Sequence, residues 1–111
     1  MRAAKVDTSQ RELVPFAEAH GATFQSTAMV GAGCPDGWIG FMGITNPVEF
    51  KTGPEKKPRV FKDGRKRKGS ATEAAQLAWR RQWKGSPCWV LRTKADVVAM
   101  LNSMSERARR P

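Results

Sequence analysis

The chain has 111 residues, enough for one domain, and carries 20 Lys plus Arg against 10 Asp plus Glu, a net charge of +10. No apolar run approaches the ~20 residues a membrane helix needs, the N-terminal residues lack the apolar core of a signal peptide, and a 40% apolar composition is too rich for a fully disordered chain. Two cysteines, Cys34 and Cys88, are too few for a disulfide framework, so a reducing cytoplasm is the expected setting, and a lone His20 excludes a His-rich metal site.

Asp7 as N-cap, with Gln10 reaching back in a capping box, predicts the start of a helix. Leu13, Phe16, Ala17 and His20 would share one face of it, and Gly21 would stop it. Pro15 predicts a kink or a short first turn. Residues 22–29 alternate weakly and read as a strand, and Gly31-Ala32-Gly33-Cys34-Pro35 as a turn. Residues 38–42 and 48–51 read as two short strands joined in a hairpin centred near Gly43. Residues 52–69 are rich in Lys, Arg, Gly and Pro and predict a mobile basic loop. Ser70-Ala71-Thr72-Glu73 is a second capping box, opening a helix to about Lys84 that Gly85-Ser86-Pro87 stops. Residues 88–91 form a compact apolar strand, and Thr93 or Lys94 starts a last helix from Ala95 to about Met104. Residues 105–111 read as a basic C-terminal tail that frays. The order α-β-β-β-α-β-α predicts a single α/β domain over residues 1–104, with a small mixed sheet flanked by helices.

The charge is unevenly spread. Residues 12–50 hold Glu12, Glu18, Asp36 and Glu49 and no Lys or Arg, whereas residues 51–111 hold seventeen basic and five acidic groups, a net of +12. A basic surface predicts a polyanionic partner, nucleic acid first. Isolated carboxylates on such a surface repel phosphate unless a divalent cation bridges them to it.

The hairpin gives those carboxylates a position. It sets Asp36 opposite about residue 50, and Glu49 and Lys51, two apart in a strand, project to one face. Asp36 and Glu49 supply hard oxygens for Mg²⁺, helped by the Phe50 carbonyl. A cation there polarises a phosphodiester and activates water. Lys51 orients or deprotonates that water, or stabilises the developing phosphorane charge. The basic residues that follow, Lys56, Lys57, Arg59, Lys62, Arg65, Lys66, Arg67 and Lys68, are the expected phosphate contacts. The Gly64-to-Ser70 run lacks the Gly-Lys-Ser/Thr ending of a phosphate loop, so no nucleotide cofactor is expected. Trp79 and Trp83, at i and i+4, read as core rather than as base-stacking platforms, and Trp38 as core rather than as a wedge at a branch point. Cys34, Cys88 and His20 are too few for a four-ligand zinc site.

In order along the chain come Asp7-Thr-Ser-Gln-Arg-Glu-Leu-Val14, His20-Gly-Ala22, Gly31-Ala-Gly-Cys-Pro-Asp36, Val48-Glu-Phe-Lys-Thr-Gly53, Thr72-Glu-Ala-Ala-Gln76, Trp79, Trp83-Lys-Gly85 and Trp89-Val-Leu-Arg92. This set, over roughly residues 5–101, resembles the PD-(D/E)XK nuclease superfamily, especially its short phage-type VRR-NUC and Holliday-junction-resolvase-like members. The resemblance implies a restriction-endonuclease-like αβββαβ core and Mg²⁺-dependent DNA cleavage, with Mn²⁺ able to substitute. It assigns Asp36, Glu49 and Lys51 to the catalytic triplet, Glu12 to the first-helix acid that completes the metal site, and Gln76 to the glutamine facing that site. It also implies a homodimer acting on branched DNA. Two departures stand out: a glycine, Gly37, where a bulky residue is common, and Asn46-Pro47 just before Glu49. Proline cannot donate to a ladder, so the strand carrying Glu49 is expected to begin late or to lie at an edge. The competing expectations are a non-catalytic nucleic-acid-binding module that keeps the fold, and a virion or interaction protein with a basic tail.

Overall fold

The structure, a computed structural model, describes residues 8–53 and 71–110. Helix α1 (Thr8–Ala19) is followed by strands β1 (Thr23–Ser26), β2 (Gly37–Phe41) and β3 (Ile44–Phe50), helix α2 (Ala71–Gln82), strand β4 (Trp89–Leu91) and helix α3 (Lys94–Arg109). The four strands form one mixed sheet in the order β1-β2-β3-β4, antiparallel except for the parallel β3–β4 pair. A parallel pair needs a crossover, and α2 belongs to it. The chain is thus α/β, in the predicted element order. The described residues contain no helix long and apolar enough to cross a membrane.

Strand periodicity divides the sheet into two faces. Ile39, Val48, Phe50 and Leu91 point to one side and bury against Leu13 and Ala17 of α1 and Val97, Met100, Leu101 and Met104 of α3. The alternate residues, Trp38, Glu49 and Lys51, point to the other side, where side chains of α2 meet them. Residues 46–50 are all buried, so β3 is covered on both faces.

Several element bounds move, each for a physical reason. Helix α1 runs through Pro15, which is exposed, as one twelve-residue element, so no short first turn is set off from it; its expected cap, Asp7, lies outside the described residues. Strand β1 stops at Ser26, because Ala28 N–H then turns to Ser26 Oγ, Val30 N–H to the Thr27 carbonyl, and Thr27 Oγ1 to the Pro35 carbonyl.

Strand β3 begins at Ile44, earlier than Val48. Phe50 N–H points to Asp36 on the β2 side, and Lys51 N–H points to Leu91 on the β4 side. By alternation Pro47, like Lys51, faces β4, but pairing with β4 starts only at Val48. The missing proline N–H therefore falls where the described residues place no partner strand. Gly37 also has a structural cause: a Cβ there would run into the Phe24 ring and the Gln25 carbonyl. Phe24 fills that space itself, meeting Phe50 edge-on at 5.7 Å.

The largest correction is at the C-terminus. Residues 105–109 are not a frayed tail but the last turns of α3. Thr93 and Asp96 form a full capping box at its start. Near its end Met104 is fully buried, and Arg107 donates to Asn46 Oδ1 at 3.3 Å and Ser86 Oγ at 3.1 Å. Those long-range anchors extend the helix past its apolar stripe.

Candidate active site

The β2–β3 hairpin closes through Met42 and Gly43, which both have positive φ (53° and 80°), the handedness a two-residue hairpin turn requires. Phe41 pairs with Ile44 and Gly37 with Val48, so Asp36 continues the register opposite Glu49, one residue from the expected position. Asp36 then does more than stand beside its neighbour. Its Oδ2 accepts the Phe50 N–H at 2.7 Å and closes the end of the ladder. Strand geometry sends the Phe50 carbonyl out on that same side, toward Asp36.

Glu49 is 2% exposed. An ionised carboxylate at that depth needs paired cations. Its Oε2 accepts from Arg80 Nη2 at 2.8 Å and lies 3.8 Å from Lys51 Nζ. Lys51 Nζ also donates to Gln76 Oε1 at 3.4 Å, and Lys51 N–H bonds the Leu91 carbonyl at 3.1 Å. Four predicted residues, Asp36, Glu49, Lys51 and Gln76, are thus gathered at the ends of β2 and β3 beneath α2. Helix α2 is seated by Gly33, where a Cβ would collide with the Ala75 carbonyl.

The other predicted site residues fare differently. Glu12 is exposed on α1, which packs on the sheet layer away from Glu49. Among the described residues no three His, Cys, Asp or Glu side chains are grouped closely enough to hold a metal, so Glu12 does not complete a three-acid set. The basic residues Lys56, Lys57, Arg59, Lys62, Arg65, Lys66, Arg67 and Lys68 lie outside the described residues.

Two neighbours were missed by sequence reasoning. Arg80 falls one helical turn beyond Gln76, and that i, i+4 relation was the available signal. Cys88 sits close enough to feel the site: burial pushes its thiol up to about 11, Arg80 pulls it back, and Glu49 and Asp36 add to the rise. A thiol raised so far is neutral at ordinary pH, the form that is a poor nucleophile.

The three indoles expected in the core are not there. Trp38, Trp79 and Trp83 pack on one another instead, on the Glu49 face of the sheet and apart from the buried cluster.

The donor set suits a hard divalent cation. Asp36 and Glu49 each commit one oxygen to the bonds above, and the second oxygen of each takes no part in them. With the Phe50 carbonyl they make an all-oxygen set, the kind Mg²⁺ and Mn²⁺ accept. No family model, curated protein or solved structure matches the chain.

Proposed function

We propose that the chain is a Mg²⁺-dependent endonuclease that hydrolyses DNA phosphodiester bonds from a restriction-endonuclease-like αβββαβ core. The observation that carries this is the convergence of Asp36, Glu49 and Lys51 on one sheet face, in a molecule of net charge +10. Two carboxylates set beside a lysine in so basic a molecule favour the catalytic reading over a protein that only holds DNA. Asp36, Glu49 and the Phe50 carbonyl would hold the cation. When bound it polarises the scissile phosphate and lowers the pKa of a ligated water.

The chain's own groups do the rest. Asp36 is oriented by the Phe50 N–H, so its outer oxygen is fixed relative to β3. Lys51 is held between Glu49 and Gln76, where its ammonium can donate to a non-bridging phosphate oxygen as charge grows there. Gln76 fixes the Lys51 head through its carbonyl oxygen. Arg80 balances Glu49 before substrate arrives, and is then a second cation within reach of the phosphate.

One observation favours a binder that keeps the fold without the chemistry: Arg80 already neutralises Glu49 with no metal required. A cleavage panel separates the two. Purified chain with Mg²⁺ is expected to nick or cut at least one of linear duplex, flapped and four-way DNA, and Glu49→Ala or Lys51→Ala is expected to abolish cutting while binding persists. Binding without cutting of any of these in Mg²⁺ or Mn²⁺ would establish the binder.

A further inference from the structure

The tryptophan cluster has a use that core packing does not supply. Trp79 and Trp83 stack with planes 18° apart and centroids at 4.9 Å. Trp38 leans on both, at 6.2 Å and 5.5 Å. Trp83 remains 37% exposed, although its Nε1–H is tied to the Ser86 carbonyl at 2.6 Å, so an open indole is held in a fixed pose. Gly85 lies against this ring where a Cβ would collide with it, and glycine is the residue that covers it least.

The surroundings specify what could lie on such a surface. Trp38 is two residues along β2 from Asp36 and on the same face, a separation of about 6.6 Å. Arg80, which bonds Glu49, lies between Trp79 and Trp83 in sequence, and exposed Arg81 and Lys84 flank Trp83. From Ala74 to Lys84 there is no acid. On the same sheet face a hollow of about 270 Å³, walled in part by Thr23, Gln25 and Thr45, opens beside Trp38. Aromatic faces interleaved with cations fit a strand whose bases stack and whose phosphates pair. An acidic peptide would match the cations but leave the indole faces unused.

We propose that Trp38, Trp79 and Trp83 form a stacking platform for unpaired nucleobases, so that the strand reaching Asp36, Glu49 and Lys51 is single-stranded beside the scissile phosphate. This rests on the nuclease reading and deepens it: the strand that is cut is unpaired where it crosses the indoles. A base inside a duplex has both faces stacked and cannot engage the platform.

The test uses the full chain in EDTA, with a single-stranded oligonucleotide containing 2-aminopurine and a blunt duplex of the same sequence as probes. Single strand is expected to quench tryptophan emission and change 2-aminopurine fluorescence. Trp83→Leu keeps apolar volume without a π-face, and is expected to weaken single-strand binding about tenfold with less than a twofold change for duplex. Trp83→Phe is expected to retain most of the affinity. Equal loss on both probes, or no loss with Trp83→Leu, overturns the platform; if that chain still cuts DNA with Mg²⁺, the nuclease reading survives. A wild-type chain that binds neither probe overturns the platform, and one that also cuts none of the DNAs above with Mg²⁺ or Mn²⁺ overturns both.

Discussion

Asp36 gives the sharpest separation of architecture from chemistry, because one oxygen serves each. Its Oδ2 is the acceptor for the N–H of Phe50, a residue 2% exposed. Asp36→Ala strands that buried donor. A hydrogen bond to a charged group contributes about 1.5–3 kcal/mol. For a domain of this size each kcal/mol moves the melting temperature by about 4–8 °C, so the expected fall is roughly 6–24 °C. Asp36→Asn keeps a carbonyl acceptor and loses only the charge assistance, about half the bond, so its expected loss is ~0.7–1.5 kcal/mol. Metal response divides the same variants differently. At tenfold its Kd, Mg²⁺ adds about 1.4 kcal/mol to the wild-type chain, or roughly 6–11 °C. Asp36→Asn should melt roughly 3–12 °C below wild type without metal and show no such gain with it. The assay is a thermal melt of the three proteins over a Mg²⁺ titration. Equal metal gains in wild type and Asp36→Asn would refute a cation held by Asp36. Asp36→Ala melting no lower than Asp36→Asn would refute the ladder-closing role.

Arg80→Ala removes the closest cation from a buried carboxylate; Lys51 stays, and the guanidinium is 38% exposed, so the expected loss is only about 1–2 kcal/mol, with a higher apparent Mg²⁺ affinity by calorimetric titration. An unchanged affinity would mean that Arg80 does not compete for Glu49. Arg107→Met leaves fully buried Asn46, whose Nδ2 already finds no partner among the described residues, without its Oδ1 donor, at an expected cost of about 1–3 kcal/mol in urea unfolding; adding Asn46→Val should recover most of it. Gly37→Val should destabilise strongly through collision with Phe24, and Phe24→Ala in the same chain should return part of the loss, read by thermal melting. In a Cys34→Ser background, alkylation of Cys88 should be slow at pH 8 and rise toward pH 11, since the raised thiol stays neutral below that range; fast labelling at pH 8 would contradict its burial beside Glu49.

What the sequence disclosed followed from local rules. Period-two alternation and the glycine at the hairpin turn were enough to bring Asp36 toward Glu49, and to put Lys51 on the same face. Gly21, Thr93 and the Gly85-Ser86-Pro87 stop marked element ends because caps and breakers act within a few residues. What stayed hidden depended on distant partners. Arg80 meets Glu49 across 31 positions, and Arg107 meets Asn46 across 61. Pro47 is harmless only because β4 joins one residue later, which no pattern in residues 44–51 encodes. Trp79 and Trp83 show the deeper ambiguity: i, i+4 spacing assembles indoles on one side of a helix without saying whether that side meets the core or an open sheet face.

The two-residue turn at Met42 and Gly43 bears on how this protein can vary. Both positions are exposed, and each touches little, so substitutions that accept positive φ change only the cost of the bend. Their number is another matter. An inserted or deleted residue there slips β3 against β2 by one, and a slip of one turns every side chain of the shifted strand to the opposite face. Glu49 would enter the layer of Val97 and Met100, and Val48 would emerge beneath α2. Homologous descent at this site is therefore free in its letters and rigid in its count, and Asp36 and Glu49 should keep the twelve residues between them wherever both acids persist.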